Sequence, residues 1–379
     1  MAREFSLTLR ELQTKGLRCG KYYNNATQCV AIHENEVFNS RLTWQSIHAL
    51  QMQCNSLFSE KITMKILFAG TPDFAVAPLK KLKENGFDII GVITQIDKPQ
   101  GRKGILTPPP VKTVAEALGI PVLQPEKIRD EVDAIRAFGA DLLVTCAYGQ
   151  ILTQAVLDSF PLGTWNIHAG LLPKYRGASP IQSCILNGEK TTGVSIMKTE
   201  LGLDCGDVLC VEETEITPTE TYGELSDRLS IIGADLIVKA LHMLESGDYT
   251  LTPQSEEGVG VVRKINKEHA KISFEKTAQE IIDLARGMNP APIAYTLLNG
   301  EKVNVYRVEK AVLTEEECLA LENAVMGEVL SDKPKRGLLV KCADGAVKLL
   351  EVQAAGGKRI SGGDFLNGRK AQKGQVFTC

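Results

Sequence analysis

The chain has 379 residues, which is long enough for two domains with additional segments. Hydrophobic residues make up 44% and charged residues 23%, a balance typical of globular proteins, while the net charge of −3 by itself indicates nothing about nucleic acid. The ten cysteines include no C-x-x-C pair, and no apolar run approaches the ~20 residues of a membrane span, so we predict reduced thiols, no zinc site and no membrane segment.

Residues 1–63 mix Asn, Gln, Cys and charged residues without sustained periodicity and indicate no helix or strand. Met64 begins an apolar run that ends at Gly70, the pattern of a buried parallel strand. A misassigned start codon, a targeting peptide and a small accessory element are the alternatives for the first segment, and acidic residues such as Glu4 and Glu34 weaken the targeting peptide. We expect a poorly ordered extension without function, with Met64 as the natural start.

From Met64 the pattern alternates strand and helix. Predicted strands cover 66–69, 89–94, 141–146 and 163–168, and predicted helices cover 74–85, 111–118 and a stretch near 151–159. This rhythm predicts an α/β domain with a Rossmann-like, doubly wound parallel sheet. A nicotinamide oxidoreductase is disfavoured, because a dinucleotide site needs G-x-G-x-x-G after the first strand and only Gly70 is present there.

Two further regions have their own composition. Gly and Pro punctuate the stretch 95–110, which we expect to be neither helix nor strand, and its length favours a functional loop. Later in the chain, short β-rich runs separated by Gly turns predict a small OB-like β-barrel, preceded by a helix near 278–286. The runs are 294–298, 302–308, 327–330, 337–341 and 346–352.

The predicted organisation is an extension at 1–63, a catalytic domain at 64–250, a linker at 251–268 and a C-terminal barrel at 269–379. From Lys333 onward the chain carries ten Lys and Arg against three Asp and Glu. A basic barrel of this kind suits contact with an RNA backbone and a salt-dependent affinity. A solvated basic face has the same composition.

Polar residues at the end of the strand 163–168 are the first candidates for catalysis. Asn166 and His168 lie two positions apart, so their side chains share one face of the strand. In open α/β folds, ligands bind at the carboxyl edge of the parallel sheet. An amide and an imidazole at that edge can bind a carbonyl oxygen and transfer a proton to or from it. An isolated N-x-H pair is nevertheless more often structural. On a later glycine-framed loop, Asp204 is the better catalytic candidate, whereas we expect Asp207 to be structural.

Three longer motifs follow one another along the chain. N-x-H-x-x-L-L-P-x-x-R-G occupies 166–177, T-G-V-x-I-M occupies 192–197 and G-x-D-x-G-D occupies 202–207. This order resembles the 10-formyltetrahydrofolate-dependent formyltransferases, and within them the methionyl-tRNA formyltransferase family. The resemblance runs from Met64 to near the C-terminus. It is supported by F-A-G-T-P-D-F-A at 68–75, T-Q-I-D-K-P at 94–99, A-Y-G-Q-I-L at 147–152 and N-P-A-P at 289–292.

The resemblance implies a cytoplasmic enzyme of translation initiation that moves the formyl group of 10-formyltetrahydrofolate to the α-amine of initiator methionyl-tRNA, without a metal. It implies that Asn166 donates hydrogen bonds to the formyl oxygen, that His168 assists proton transfer, and that Asp204 orients or charge-balances His168. We also expect a monomer. The implied folate neighbours are Tyr148, Gly149, Gln150, Ile151, Leu152, Leu171, Leu172 and Pro173, and the predicted tRNA contacts are Arg102, Lys103, Arg176, Lys335 and Arg336.

Two alternative functions remain open, and two positions differ from the usual motifs of the family. A folate-dependent formyltransferase acting on glycinamide ribonucleotide or a sugar nucleotide would share the three catalytic residues, but is not expected to carry both the inserted loop and the basic barrel. A non-catalytic RNA-binding protein on a degenerate scaffold is disfavoured by the intact Asn166, His168 and Asp204. Gly170 stands where many relatives have Ser, and Ala291 stands where an aromatic residue is frequent.

Overall fold

The computed structural model describes residues 29–33, 36–40, 64–101, 103–368 and 370–378. The chain forms two compact units, Met1–Thr63 and Met64–Cys379. In the first unit the described residues form the antiparallel strands β1 (Cys29–His33) and β2 (Glu36–Ser40), which the sequence did not predict. The expectation of poor order for the rest of 1–63 lies outside the described residues.

The second unit begins with an α/β domain built on a seven-stranded sheet. The strands of this domain are β3 (Lys65–Gly70), β4 (Asp88–Ile93), β5 (Lys98–Gln100), β6 (Ile105–Thr107), β7 (Val122–Leu123), β8 (Leu142–Cys146), β9 (Thr164–His168), β10 (Arg176–Gly177), β11 (Thr191–Lys198), β12 (Val208–Glu215) and β13 (Val261–Val262). The sheet has the order β12-β11-β9-β8-β3-β4-β7. Strands β9, β8, β3, β4 and β7 are mutually parallel, which confirms the Rossmann-like sheet. β11 and β12 form an antiparallel hairpin that was not predicted.

Helices cover both faces of this sheet. The described α-helices are α1 (Val76–Glu84), α2 (Pro110–Ala117), α3 (Val132–Ala137), α4 (Gln154–Leu157), α5 (Pro180–Leu186), α6 (Tyr222–Ser246), α7 (Ala278–Gly287), α8 (Glu315–Asn323) and α9 (Gly362–Asn367). One face buries Leu79 of α1 and Ile237 of α6, and the other buries Ile135 of α3 and Val156 of α4, as in a doubly wound domain. No helix in the described ranges is long and apolar enough to cross a membrane.

The inserted stretch 95–110 corrects one prediction. It was expected to contain no strand, yet β5 and β6 pair in antiparallel register, with Pro99 opposite Leu106. Gly101 and Gly104 adopt φ of +68° and +60°, which turns the chain between the strands. Proline is tolerated because an isolated two-stranded hairpin has edges on which no N–H is needed. Arg102, at this turn, lies outside the described residues.

The C-terminal part is an antiparallel sheet. Its strands are β14 (Ala294–Leu298), β15 (Glu301–Lys310), β16 (Leu338–Cys342), β17 (Gly345–Ala354), β18 (Ile360–Ser361) and β19 (Phe377–Thr378). The order is β16-β17-β15-β14-β19, with β18 paired to β17, which confirms the β-rich C-terminal fold. The predicted strand at 327–330 was wrong, because Glu328 and Val329 make only isolated bridges. Ile281 and Ala285 of α7 pack into the core of this sheet.

Buried polar contacts join the two parts of the second unit. Arg286 on α7 pairs with Asp283 at 2.7 Å, and its Nη1 donates to the carbonyl oxygens of Thr217 and Glu220 at 3.2 and 3.3 Å. Across the same junction, the Gln182 amide donates to the carbonyl oxygen of Ala291 at 3.1 Å. The small residue at 291 thus contributes its backbone to the junction.

Candidate active site

Asn166 lies on β9, between the parallel strand β8 and the antiparallel strand β11, beside Thr145 in register. The Thr145 hydroxyl donates to Asn166 Oδ1 at 2.8 Å. Within the described residues no acceptor is recorded for Asn166 Nδ2. The threonine therefore fixes the oxygen end of the amide and leaves its N–H end available for a carbonyl oxygen.

His168 ends the same strand and is 4% exposed. Its Nε2 lies 3.1 Å from the carbonyl oxygen of Tyr175, and its Nδ1 lies 3.5 Å from Asp204 Oδ2. Burial lowers the pKa of His168, while the Asp204 carboxylate and the Tyr175 carbonyl partly offset that effect. The ring is therefore fixed between two oxygens, with Nε2–H donating to the carbonyl and Nδ1 facing the carboxylate.

Asp204 adopts the left-handed conformation, with φ of +47°. Its Oδ2 accepts the Gly177 N–H at 2.8 Å, and its carbonyl oxygen accepts the Gln254 amide at 2.9 Å. Asp is among the few residue types that tolerate this backbone region. The first bond ties the Asp204 loop to the segment that follows β9, and the second ties it to the segment that follows α6. The structure thus brings Asp204 to His168, which lies two residues beyond Asn166 on β9.

Tyr175 anchors the loop that faces His168, a role that the sequence analysis missed. Its φ is +58°, and its hydroxyl donates to Glu189 Oε1 at 2.8 Å while accepting from Asn187 at 3.1 Å. Burial is the main cause that raises the pKa of Tyr175 to about 12. These bonds fix the backbone whose carbonyl meets the imidazole. Its place inside L-L-P-x-x-R-G was the only signal available.

The loop after β9 is also held from β11. The buried Ser195 hydroxyl donates to the Gly170 carbonyl at 2.7 Å and accepts the Leu172 N–H at 3.4 Å. A Cβ at Gly170 would lie 3.1 Å from His168 Nε2 and 3.2 Å from Pro180 Cβ, which is tighter than ordinary contact. Gly170, which stands where many relatives have Ser, therefore leaves more space beside the imidazole than a residue with a Cβ would leave.

The predicted folate neighbours divide into three groups. Gly149, Gln150 and Ile151 line a cleft of ≈ 470 Å³ at the carboxyl edge of the sheet. The side chain of Tyr148, in contrast, is 4% exposed and belongs to the core, with partly buried Leu152 packed against that core. Leu171, Leu172 and Pro173 are half-buried in the loop beyond His168.

Gly149 has a conformational reason to be glycine. Its φ is +84°, and a Cβ there would lie 2.4 Å from the amide nitrogen of Gln95. That amide donates to the Tyr148 carbonyl at 3.0 Å. The close approach joins the loops that follow β4 and β8.

The predicted tRNA contacts are also divided. Lys103 and Lys335 are exposed, and Arg176 Nε donates to Gln254 at 2.9 Å. Arg336 is paired with the nearly buried Glu317 at 2.6 Å, so its charge already has a partner.

Four cations that the sequence analysis missed lie in and just after the predicted linker. All four are exposed and have no recorded side-chain partner in the described part of the chain: Arg263, Lys264, Lys267 and Lys271. They follow β13, which pairs in parallel with Arg176 and Gly177 beside the Asp204 loop. The R-K-x-x-K run itself was the available signal.

Comparison with known proteins follows the same division of the chain. The Formyl transferase family model matches residues 64–241, and the model of the Formyl transferase C-terminal domain matches residues 264–370. A methionyl-tRNA formyltransferase of Bacillus velezensis is 42% identical over 316 residues, which cover 83% of this chain and 97% of the relative. One of Ruminiclostridium cellulolyticum is also 42% identical, over 82% of this chain and 99% of the relative.

The chain belongs to the methionyl-tRNA formyltransferase family. It is accordingly a formyl-transferring enzyme. Two solved structures share the fold of this chain. An N-formyltransferase of Helicobacter canadensis in complex with folinic acid and dTDP-3-aminofucose has a TM-score of 0.56 at 19% identity, over 78% of this chain and 100% of that chain. HypX of Aquifex aeolicus in complex with tetrahydrofolic acid has a TM-score of 0.56 at 18% identity, over 80% of this chain and 47% of that chain.

Proposed function

We propose that the chain transfers the formyl group of 10-formyltetrahydrofolate to the α-amino group of initiator methionyl-tRNA. The observation that carries this proposal is the meeting of Asn166, His168 and Asp204 at one sheet edge, in a chain 42% identical to enzymes of that name over most of its length. A bond forms between the amine nitrogen and the formyl carbon, the bond from that carbon to N10 of the folate breaks, and one proton passes from the amine to N10.

Asn166 stabilises the charge that develops on the formyl oxygen. Its Nδ2–H₂ is the end without a recorded acceptor among the described residues, because Thr145 already holds Oδ1. A fixed amide donor does not need to reorganise as charge appears, and losing one such donor typically costs about 3 kcal/mol. The residues present therefore fit a bound one-carbon carbonyl donor.

His168 and Asp204 carry out the proton transfer in this mechanism. Nε2–H is committed to the Tyr175 carbonyl, so Nδ1 is the position at which the ring exchanges a proton. Asp204 Oδ2, 3.5 Å away, stabilises the protonated ring. An α-amine titrates near 7.7–8.0, so a group that takes its proton at neutral pH speeds attack.

We propose that residues 64–250 form the catalytic part, 251–268 the linker and 269–379 the part that binds tRNA. The unpaired cations of the linker region, such as Arg263 and Lys264, are better supported as phosphate contacts than Arg336, which already has a carboxylate partner. A cytoplasmic monomer that needs no metal remains the prediction from the sequence.

The test is a formylation assay with purified protein, 10-formyltetrahydrofolate and charged initiator tRNA. We expect formyl-methionyl-tRNA as the product and no formylation of free methionine. Equal activity on the free amino acid would contradict the tRNA assignment, and activity on an amino-sugar nucleotide alone would move the chain to a different acceptor class.

A further inference from the structure

The loop that carries Asp204 has no backbone support of its own. It connects β11 to β12, and in the part of the chain that the structure describes no residue from 200 to 206 makes a backbone–backbone hydrogen bond. Asp204 nevertheless keeps a φ of +47° and holds Oδ2 3.5 Å from His168 Nδ1. Even for Asp this backbone region is less favourable than helix or strand geometry, so contacts from outside the loop must hold it there.

Gln254 supplies two of these contacts through one side chain. Its amide nitrogen donates to the carbonyl oxygen of Asp204 at 2.9 Å and to that of Gly206 at 2.7 Å. Its Oε1 accepts a hydrogen bond from Arg176 Nε at 2.9 Å. A guanidinium only donates and a carbonyl only accepts, so these partners allow one orientation of the amide. The amide N–H groups are therefore committed to the backbone on both sides of Cys205.

The segment that contains Gln254 does not depend on this side chain for its own attachment. The N–H of Thr252 donates to the Val208 carbonyl at 2.8 Å and its carbonyl accepts the Val208 N–H at 2.9 Å, while β13 pairs with β10 further along. From 252 to 259 every residue except Gln254 is exposed. Without the Gln254 amide the segment keeps its backbone bonds, whereas the Asp204 loop loses two of its contacts. The side chain thus supports the loop.

The place of the Asp204 carboxylate matters for proton transfer. A carboxylate stabilises a protonated His168 ring only while it stays close to Nδ1, because the attraction falls with distance. The Gly177 N–H fixes Oδ2, and Gln254 fixes the backbone from which that side chain projects. A misplacement of about 1 Å in a catalytic group can cost about 10²-fold in rate. Loss of the Gln254 bonds should therefore slow the reaction even though Gln254 bonds only to protein groups.

We propose that Gln254 is a positioning residue for formyl transfer, whose amide holds the Asp204 loop in the conformation that presents the carboxylate to His168. This assignment rests on the proposed function, because it takes His168 and Asp204 as the groups that transfer the proton. The effect of Gln254 on the reaction passes through Asp204. It should therefore appear in kcat, with little change in KM for either substrate.

The experiment compares kcat and KM for methionyl-tRNA formylation in the wild type and two variants. Gln254→Met keeps the length of the side chain and removes all three bonds, so kcat should fall about tenfold while both KM values stay within about threefold. Gln254→Glu keeps the acceptor for Arg176 but has no side-chain N–H at neutral pH, and it should be at least as slow as Gln254→Met.

Gln182→Met is the matched control. Gln182 also donates to two backbone carbonyl oxygens, those of Gly287 at 3.2 Å and Ala291 at 3.1 Å, but at the junction with the C-terminal part. The substitution should lower the free energy of unfolding and leave kcat unchanged. Equal losses of kcat in Gln182→Met and Gln254→Met would show a general effect of stability and would overturn the proposal.

A second measurement places Gln254→Met in the Asp204→Ala background, in single turnovers with excess enzyme. If Gln254 acts through the carboxylate, its substitution has no further effect once that carboxylate is absent. A residue that only stabilises the fold would slow both backgrounds by the same factor. Such a further loss in the Asp204→Ala background would overturn the proposal.

The remaining outcomes separate other roles of Gln254. Wild-type kcat in either Gln254 variant overturns the proposal. A rise in KM for methionyl-tRNA at unchanged kcat would assign Gln254 to the support of Arg176 in RNA binding, which also overturns it. Failure of the wild type to formylate methionyl-tRNA contradicts the proposed function itself.

Discussion

The carboxyl edge of the seven-stranded sheet and the basic C-terminal sheet use polar side chains in opposite ways. At the edge, Asn166 is fixed at one end and left open at the other. In the C-terminal part, Lys333 and Arg336 are paired with carboxylates, and Lys341 donates to two carbonyl oxygens at the end of α8. A count of charges therefore overstates how many cations of the C-terminal sheet are free to bind RNA. The N–H end of Asn166, in contrast, is free because the fold gives it no acceptor among the described residues.

The open end of Asn166 should give the strongest effect. Asn166→Ala should lower kcat/KM for formylation of methionyl-tRNA about 10²–10³-fold, because a fixed donor to the formyl oxygen is removed. Initial rates with each substrate varied provide the measurement. Thr145→Val, which removes the hydroxyl that orients the amide, is the matched variant and should cost about tenfold. A change of less than threefold in Asn166→Ala would mean that the amide does not face the reacting carbonyl.

The linker cations differ from the paired cations of the C-terminal sheet and should respond accordingly. Arg263→Ser with Lys264→Ser should weaken tRNA binding and reduce the slope of log affinity against log salt by about 0.9 for each phosphate that is no longer neutralised. Affinity for the folate should be unchanged. The measurement is filter binding of initiator tRNA over a salt series. An unchanged slope would place the tRNA elsewhere.

Arg336 should behave differently, although the sequence predicted it as a tRNA contact. Arg336→Met leaves the nearly buried Glu317 without its partner, so the free energy of unfolding should fall while the salt slope stays unchanged. Urea unfolding reports the first quantity. Lys335→Met, at the neighbouring position that is exposed and unpaired among the described residues, should leave the free energy of unfolding unchanged within error. A reduced slope in Arg336→Met would restore the original prediction.

Tyr175→Phe tests the loop that holds the imidazole. It removes one bond to Glu189 and one from Asn187, so we expect a loss of about 1 kcal/mol in stability. Formylation should slow several-fold at saturating substrates, since the carbonyl facing His168 is held less firmly. Lys174→Ala removes only the exposed ion pair with Glu189 and should be nearly neutral. Equal rates for Tyr175→Phe and wild type would show that the backbone alone fixes this loop.

The weakest of these effects concerns pH. Burial lowers the pKa of His168 below its ordinary value of 6.5, so the unfolded chain binds a proton near pH 6.5 that the folded chain still rejects. Stability from the neutral ring is therefore present above that pH and is lost as the pH falls from 6.5 toward the folded pKa. In His168→Gln, the decrease in unfolding free energy between about pH 7.5 and about pH 5.5 should be smaller, by up to ~1.4 kcal/mol per unit of pKa shift.

Much of the α/β domain could be predicted from the sequence because its signals are local. The alternation from Met64 predicted the parallel strands, and the spacing of Asn166 and His168 predicted a shared face. The 25-residue helix α6 was not predicted, although Thr221, Glu224 and Gly247 provide its capping box and left-handed C-cap. Those signals were present in the sequence and were missed.

Other features could not be read from the sequence because they depend on contacts between distant segments. The partner of Arg336 is Glu317, which lies on α8 and 19 residues earlier in the chain. No count of charges reveals that pairing. Tyr175 acts through its backbone carbonyl, which carries no residue-type signal. Tyr148 was assigned to the folate by its motif, but its side chain turns into the core while Gly149 and Ile151 line the cleft.

The proposed mechanism depends above all on His168 and Asp204 acting on the proton as one unit beside Asn166. The decisive quantity is kcat/KM for methionyl-tRNA formylation in His168→Ala, Asp204→Ala and the double variant. Residues that act as a unit are non-additive, so the double variant should be no slower than the slower single variant. If the two losses multiply in the double variant, the imidazole and the carboxylate work independently and this mechanism is contradicted.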